Sequence, residues 1–528
     1  MTTSLAASEQ AQAAAEPSSD PLGPEVPEAT RRRLAPLVGP DPWSWVVTAA
    51  VTLVAAIVRL VELGRPGHII FDETYYAPNA WALGKYGVEW SVPEGGAAPV
   101  NGAPVLGDTA AYVVHPPLGK WMIWLGESIY GYNPFGWRIA AAIAGIASVL
   151  MITRIARRLF GSTVLGATAG LLVALDGMHV VMSRTALLDI FLLFFVVAAF
   201  GALVMDRDTR RERWLRAVEA GLDRPPPALP WWRFAMAGLL GCAVAVKWSG
   251  AFFIPVFLIL LIWWEIGARR SAGVRRPWLD TLTGEWLSVL VTVVITPVVY
   301  LLSWTGWFVT DHGYHRLTPI DVRDSSPLGW LFGSLWNLFQ YHRQVLDFHD
   351  DLVSDHPYAS DAWQWLILAE PTAFHWSNEG SCGAPTCASA VLLLGTPLLW
   401  WSFLPALALL AWVGIARRDW RAAAIWFTAV IGIAPWLLID RVMFYFYALP
   451  SEPFLVLAVV YLLGALITPG PSSKETLLGF DRRIAGIVLA GAYVMLVALN
   501  FAYFYPIYTG QLIPYEAWQA RMWVSSWV

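Results

Sequence analysis

The chain has 528 residues, of which 57% are apolar and only 14% charged, with a formal net charge of -4 and a mean hydropathy of +0.52. That balance excludes an ordinary soluble domain and points to a polytopic membrane protein. With near-neutral charge and no basic groove interleaved with aromatics, nucleic-acid binding is excluded too.

Residues 1–42 are rich in Ala, Pro, Ser and Glu and end in RRRLAPLVGPDP. They read as a disordered cytoplasmic tail with a basic stop, not a cleavable signal peptide, because the apolar run that follows is too long and starts too late. That run, WSWVVTAAVTLVAAIVRLVEL at 43–63, is the first of eleven expected spans; the others lie near 137–153, 163–182, 185–204, 234–249, 251–267, 286–304, 397–416, 421–438, 452–468 and 484–504. Long unbroken apolar runs imply helices, since barrel strands would alternate. Trp and Tyr, 31 and 18 in number, suit interfacial belts. The basic clusters at 31–33, 154–158, 207–216, 269–276, 417–421 and 474–483 all fall on one side under this threading, which makes that side cytoplasmic. The expected fold is therefore an all-α integral membrane domain over 43–505, with extracytoplasmic loops at 64–136 and 305–396 carrying amphipathic helices and an extracytoplasmic C-terminal segment, 506–528.

The first long loop opens with FDETYY. Asp72 and Glu73 read either as a general base with its electrostatic partner, or as a helix cap followed by a first-turn acid. Further on, HPPLGKW at 115–121 brings His115 and Lys120 around a stiff double proline, which a structural kink would also explain. Arg138 follows at the start of the second span. In SRTALLDIFL, Arg184 begins a span and Asp189 lies inside it, where a helix–helix ion pair is the structural alternative to a functional role. DRD at 206–208 imitates a metal–nucleotide motif but lies in an Arg-rich cytoplasmic segment and reads as a solvated loop. Lys247, in a short outer turn, and Arg441, before a Tyr-rich span entrance, either snorkel to headgroups or clamp an anionic one. CGAPTC, with Cys382 and Cys387, has no further ligand for zinc and reads as a local disulfide or two thiols, while Cys242 is expected buried in a span. No metal site is expected. Asp72, Glu73, His115, Arg138, Arg184, Asp189, Lys247 and Arg441 all fall near the outer face, so a single polar cavity opening outward is the economical arrangement.

Taken in order, FDETYYAPNAW, VHPPLGKW, GWRIAAAIAG, SRTALLDIF, VKWSG, LLGTPLLWW and RVMFYFYALP resemble the protein O-mannosyltransferases, membrane glycosyltransferases of the GT-C type, from about residue 43 to 505. The resemblance implies transfer of mannose from polyprenyl-phosphate mannose to Ser or Thr hydroxyls of exported proteins. It implies Asp72 as the base and Glu73 held by Arg138 on the acceptor side. Lys247 and Arg441 would lie near the donor phosphate, with Arg184 and His115 as further candidates there. The second long loop is too short for the β-trefoil insertion of eukaryotic members, so the chain looks like the bacterial, actinobacterial branch. Transfer is expected to be inverting, from a β-linked donor to an α-linked product, and independent of metal or other cofactor, because fixed Arg and Lys groups can stabilise the leaving phosphate. The implied setting is the plasma membrane, with the active site outside and the secretion translocon as a possible neighbour. The rival enzyme is a GT-C transferase acting on a glycolipid or cell-wall glycan. A transporter is disfavoured by the odd span count and the lack of an internal repeat.

Overall fold

In the computed structural model, which describes residues 26–36, 38–352, 356–468, 476–477 and 480–528, every one of the eleven expected stretches is helical. The first element, α1 (Glu28–Leu34), already departs from expectation, because the RRR segment is helix. Leu34 is buried against Trp214 and Ala268, and Arg31 pairs with Glu219 at 3.2 Å. So short a helix persists only through such tertiary anchors. Residues 1–25 of the expected tail lie outside the described residues, as do Lys474 and Glu475 of the last basic cluster.

Eight helices among the described residues are long and apolar enough to cross a membrane. In chain order the elements begin α2 (Trp43–Leu60), α3 (Glu73–Tyr86), α4 (Leu118–Tyr130), α5 (Pro134–Phe160), α6 (Thr163–Ala174) and α7 (Gly177–Ser183). The last two form one apolar pair bent by 64°. Asp176 sits at the break and explains it: its side chain accepts from the His179 amide at 3.1 Å, capping α7, and from Thr396 N and Trp400 Nε1 at 2.9 and 2.8 Å. There follow α8 (Asp189–Glu219), the shorter α9 (Trp231–Val246), α10 (Phe253–Ser271), α11 (Pro277–Ser303), α12 (Thr305–Val309), α13 (Pro327–Asp350) and α14 (Ala362–Trp365). After a hairpin come α15 (Pro397–Trp400), α16 (Phe403–Arg417), the short α17 (Trp420–Ile431), α18 (Glu452–Ile467), α19 (Arg482–Tyr508) and α20 (Tyr515–Gln519). Helices α3, α4 and α13 occupy the two long loops, as expected. Cys242, in α9, is only half-buried.

The all-α expectation omits a small sheet. β1 (Thr372–Ser377) pairs antiparallel with β2 (Cys387–Leu393). Apart from a two-residue ladder of β3 (Thr476–Leu477) with β4 (Phe480–Asp481), the remaining strand is β5 (Leu512–Pro514), which adds to β2 and gives the order β1-β2-β5. A seven-residue apolar run such as CASAVLL reads equally as helix or strand until its turn is considered. Here Gly380 and Gly383, at φ 105 and 84, provide that turn, and Cys382 and Cys387 close it with a disulfide.

DRD is not a solvated loop. Asp206, Arg207 and Asp208 lie within α8 and are buried at the Arg-rich end of the bundle. Arg233 is fully buried there and meets Asp206, Glu265 and Glu285 at 3.1, 2.6 and 2.7 Å. Glu265 and Glu285 are also held by Arg210 and Arg269, while Arg158 takes Asp208 at 2.8 Å. The α8 helix simply continues past its apolar stretch, so charges that look solvated in sequence are packed between α9, α10 and α11. Replacing Arg233 by Ala would leave the buried Asp206 carboxylate uncompensated. A loss of about 3–5 kcal/mol is expected, read as a lower melting midpoint of the detergent-solubilised chain. The exposed Arg323, changed to Ala, should leave that midpoint unmoved. Equal melting of R233A and wild type would show that the network does not hold the bundle.

Candidate active site

Arg138, one turn into α5, and Glu73, at the start of α3, are both fully buried. The guanidinium meets the carboxylate side-on, Nε to Oε1 and Nη2 to Oε2, each at 2.7 Å. Remaining donors go to the carbonyls of Pro66 and His68 at 2.8 and 2.9 Å. Glu73 also accepts from the amides of Ile70 and Ala186, both at 3.1 Å. A buried pair is tolerable when its other donors and lone pairs are satisfied in this way. Arg184 complements it, donating to the carbonyls of Arg59, Val61 and Glu62, each at 2.8 Å, that end α2 without intrahelical partners. Its donors are thus spent on backbone, and the structure does not place it among the groups facing Asp72, contrary to the expectation of a phosphate contact. Together Arg138 and Arg184 fix the path of residues 59–68 into FDE.

Asp72 immediately precedes α3, yet its side chain makes no capping hydrogen bond, so the cap reading does not describe it. The carboxyl is half-buried and has no hydrogen-bonding partner among the described residues. Its pKa is pushed up to about 6, first by burial, with nearby Lys247 pulling it down and Asp189 pushing it further up. Phe71, the residue before it, has φ 47, a left-handed conformation that costs an ordinary side chain about 1–2 kcal/mol. What holds it there is visible: the Phe71 ring stacks on Phe374 at 4.4 Å and 11°, with Phe444 and Phe446 edge-on at 6.4 and 6.0 Å. Phe374 itself sits where the β1–β2 register shifts, the kind of bulge that re-aims a side chain.

Around this acid lie the cations. Lys247 ends α9 and bonds Asp189, on α8, at 2.9 and 3.2 Å, so the ion-pair alternative for Asp189 is what forms. The same ammonium lies 4.3 Å from the Tyr447 ring centroid. Arg441 reaches His349 Nδ1 at 2.7 Å and the Tyr447 hydroxyl at 3.1 Å. His349 in turn stacks near His115, ring centroids 5.9 Å apart, and Tyr76 lies 6.4 Å from His115. Lys120, buried and paired with Glu89, donates to the His115 carbonyl at 2.8 Å and so holds the HPP turn. Burial, then nearby positive charge, first that of Lys247, keeps the His115 imidazole well below its usual pKa; burial and then Arg441 bring His349 to about 4. Both rings are therefore neutral at physiological pH and act as hydrogen-bonding groups, not charges. Asp72, Lys247, Arg441 and His115 are thus brought together, with Glu73 and Arg138 directly behind them. Tyr76, His349 and Tyr447 join them without having been singled out from the sequence. Tyr447 belongs to the RVMFYFYALP stretch; nothing local marks His349.

Beside this cluster an apolar cavity of about 500 Å³ runs between α9, α10 and α11, lined by Leu240, Val244, Ile254, Thr296, Tyr300 and His342 among others. Trp248, next to Lys247, also lines it, bonding Tyr300 at 3.1 Å and stacking on His342. A free carboxylate, two cations and a greasy channel in series suit a substrate with a polar anionic head and a long hydrocarbon tail.

A family model described as dolichyl-phosphate-mannose-protein mannosyltransferase matches residues 49–308, and one for the C-terminal four TMM region of protein-O-mannosyltransferase matches residues 334–527. A Mycobacterium tuberculosis protein named polyprenol-phosphate-mannose--protein mannosyltransferase is 39% identical, the match covering 96% of this chain and 95% of that one. The chain belongs to the protein O-mannosyltransferase family. A Corynebacterium glutamicum member with the same name is 34% identical over 92% of this chain and 94% of its own. The fold of this member also matches the S. cerevisiae Pmt1-Pmt2 complex bound to the sugar donor, with TM-score 0.66 at 15% identity, covering 96% of this chain and 94% of that one. That likeness is one of fold.

Two outcomes are expected. Because a protonated Asp72 cannot accept a proton, kcat/KM should fall about tenfold per pH unit below roughly pH 6 and level off above it; a profile flat down to pH 4.5 would deny Asp72 the role of base. Replacing Phe374 by Ala should lower kcat about three- to tenfold through loss of the ring stack, leaving KM for the donor unchanged, and F374Y should restore it. Unchanged kcat in F374A would show that the stack does not aim Asp72.

Proposed function

We propose that this chain transfers mannose from polyprenyl-phosphate mannose to Ser or Thr hydroxyls of proteins leaving the cell, with inversion at the anomeric carbon. The observation that carries the reading is the free Asp72 carboxyl, set against the Lys247, Arg441, His349 and His115 cluster and backed by the buried Glu73–Arg138 pair. The hydroxyl gives its proton to Asp72 as its oxygen attacks the anomeric carbon, and the bond from that carbon to the phosphate oxygen breaks. A serine or threonine hydroxyl is a poor nucleophile, and a positioned base contributes about 10²- to 10⁴-fold. The departing prenyl phosphate gains charge, which Arg441 and Lys247 offset, while neutral His115 donates a hydrogen bond and His349, accepting from Arg441 through Nδ1, orients that guanidinium. The prenyl chain lies in the cavity behind Trp248. Arg184, tied to the end of α2, serves the scaffold in this scheme.

With charge stabilisation assigned to these side chains, no metal ion takes part. The Arg-rich end faces the cytoplasm, by the bias of Lys and Arg toward that side. The two long loops, Asp72 and the C-terminus are then extracytoplasmic, in the plasma membrane, where acceptors emerge from the secretion translocon. Names of the relatives support the donor and the protein acceptor.

The test is transfer of labelled mannose from polyprenyl-phosphate mannose by the purified full chain. A Ser/Thr-rich peptide should be labelled and glycolipid acceptors should not. D72N should lower the rate at saturating donor by about 10² or more, and a chelator should change nothing. Wild-type transfer by D72N would remove Asp72 from the mechanism; loss of activity in chelator, restored by a divalent cation, would overturn metal independence.

A further inference from the structure

Strand β1 is the edge of its sheet: in the order β1-β2-β5 it has β2 on one side and, among the described residues, no strand on the other. Among the described residues its only backbone hydrogen bonds are to β2. In an antiparallel pair alternate residues turn their N–H and C=O groups away from the partner, so one side of β1 offers a row of unmet donors and acceptors. Edges of this kind are usually blunted by charged side chains or proline. Thr372–Ser377 contains no Lys, Arg, Asp, Glu or Pro.

The position of that edge is informative. Residues 66–71, leading into Asp72, touch the sheet through side chains and make no backbone hydrogen bond to β1. His68 contacts His375 at 3.4 Å, Phe71 stacks on Phe374, and a Cβ built on Gly510 would meet both Pro66 and Val391 of β2. None of these contacts uses the β1 backbone. Burial also changes along the strand: Trp376 is exposed, whereas Phe374 and Thr372 are buried. The open row of backbone groups therefore runs from a wet rim inward to the residue that clamps the neighbour of Asp72. Unpaired backbone groups at such a depth call for partners. Of the substrate classes in play, an extended polypeptide supplies alternating N–H and C=O at the required spacing; a sugar lipid does not.

We propose that the acceptor polypeptide binds as an added strand along the free edge of β1, with its Ser or Thr side chain turned toward Asp72. This rests on the protein-acceptor reading above. Main-chain pairing supplies binding that is independent of acceptor sequence, and the strand period of two decides which side chains face the carboxylate.

Steady-state transfer by the full-length enzyme tests it, using a peptide with a single Thr and a series of derivatives carrying one backbone N-methyl group at successive positions. A parallel series with single ester replacements removes each N–H without adding bulk. In both series kcat/KM should fall about five- to tenfold, the worth of one lost hydrogen bond, at every second position near the Thr, with the intervening positions unaffected. Equal losses at adjacent positions, or none, with the parent peptide still mannosylated, would overturn the added strand and leave the protein-acceptor reading intact. No transfer to the parent peptide would bring down both.

Discussion

One buried ion pair sets the geometry of the catalytic end. Arg138 and Glu73 are both fully buried, and protein groups satisfy each of them, so those groups are the ones that must be placed. Arg138 gathers the Pro66 and His68 carbonyls, and Glu73 gathers the Ile70 and Ala186 amides. The chain on either side of Asp72 is thereby fixed to α5 and to the start of α8. Asp72 is left without a hydrogen-bonding partner among the described residues, as the proposed base would need to be.

The same rule, that a buried charge needs company, divides the two ends of the molecule. At the Arg-rich end Glu265 and Glu285 each meet three arginines, Asp208 meets two and Asp206 meets Arg233, and the result is a structural tie between helices. At the loop end the charges are incomplete: Lys247 has Asp189, Arg441 has a neutral imidazole and a phenol, and Asp72 has no hydrogen-bonding partner among the described residues. Two cations of which one faces only neutral groups leave positive charge available for a phosphate, beside a cavity suited to its hydrocarbon chain. The disulfide-closed hairpin joins this end through Phe374, which links the second long loop to the backbone of the first.

Much of this was legible in the chain. Hydropathy locates the eleven helical stretches, and local motifs pick out Asp72, Glu73, His115, Arg138, Lys247 and Arg441 as polar residues near one end of the bundle. What could not be read is pairing across long separations. Nothing in SRTALLDIFL says that Arg184 will turn back to the carbonyls ending α2, while Asp189 pairs with a lysine 58 positions away. His349 sits in an aromatic amphipathic helix whose pattern suggests only an interfacial surface. DRD looked solvated because charge density was visible and the packing of α8 against α9 and α10 was not. The β1–β2 hairpin was missed because a short apolar run has no decisive period, and α1 because a basic segment gives no hint that Leu34 finds a pocket.

The central claim is that Asp72 takes the acceptor proton while Arg441 and Lys247 face the departing phosphate. The most direct measurement is a structure of the full chain holding both a non-transferable phosphonate analogue of the polyprenyl-phosphate sugar and a threonine peptide. The threonine hydroxyl should lie about 2.6–3.2 Å from an Asp72 oxygen, with the phosphonate against Arg441 and Lys247 on the far side of the sugar. A phosphonate bound away from those cations, or a hydroxyl directed to any other base, would contradict it.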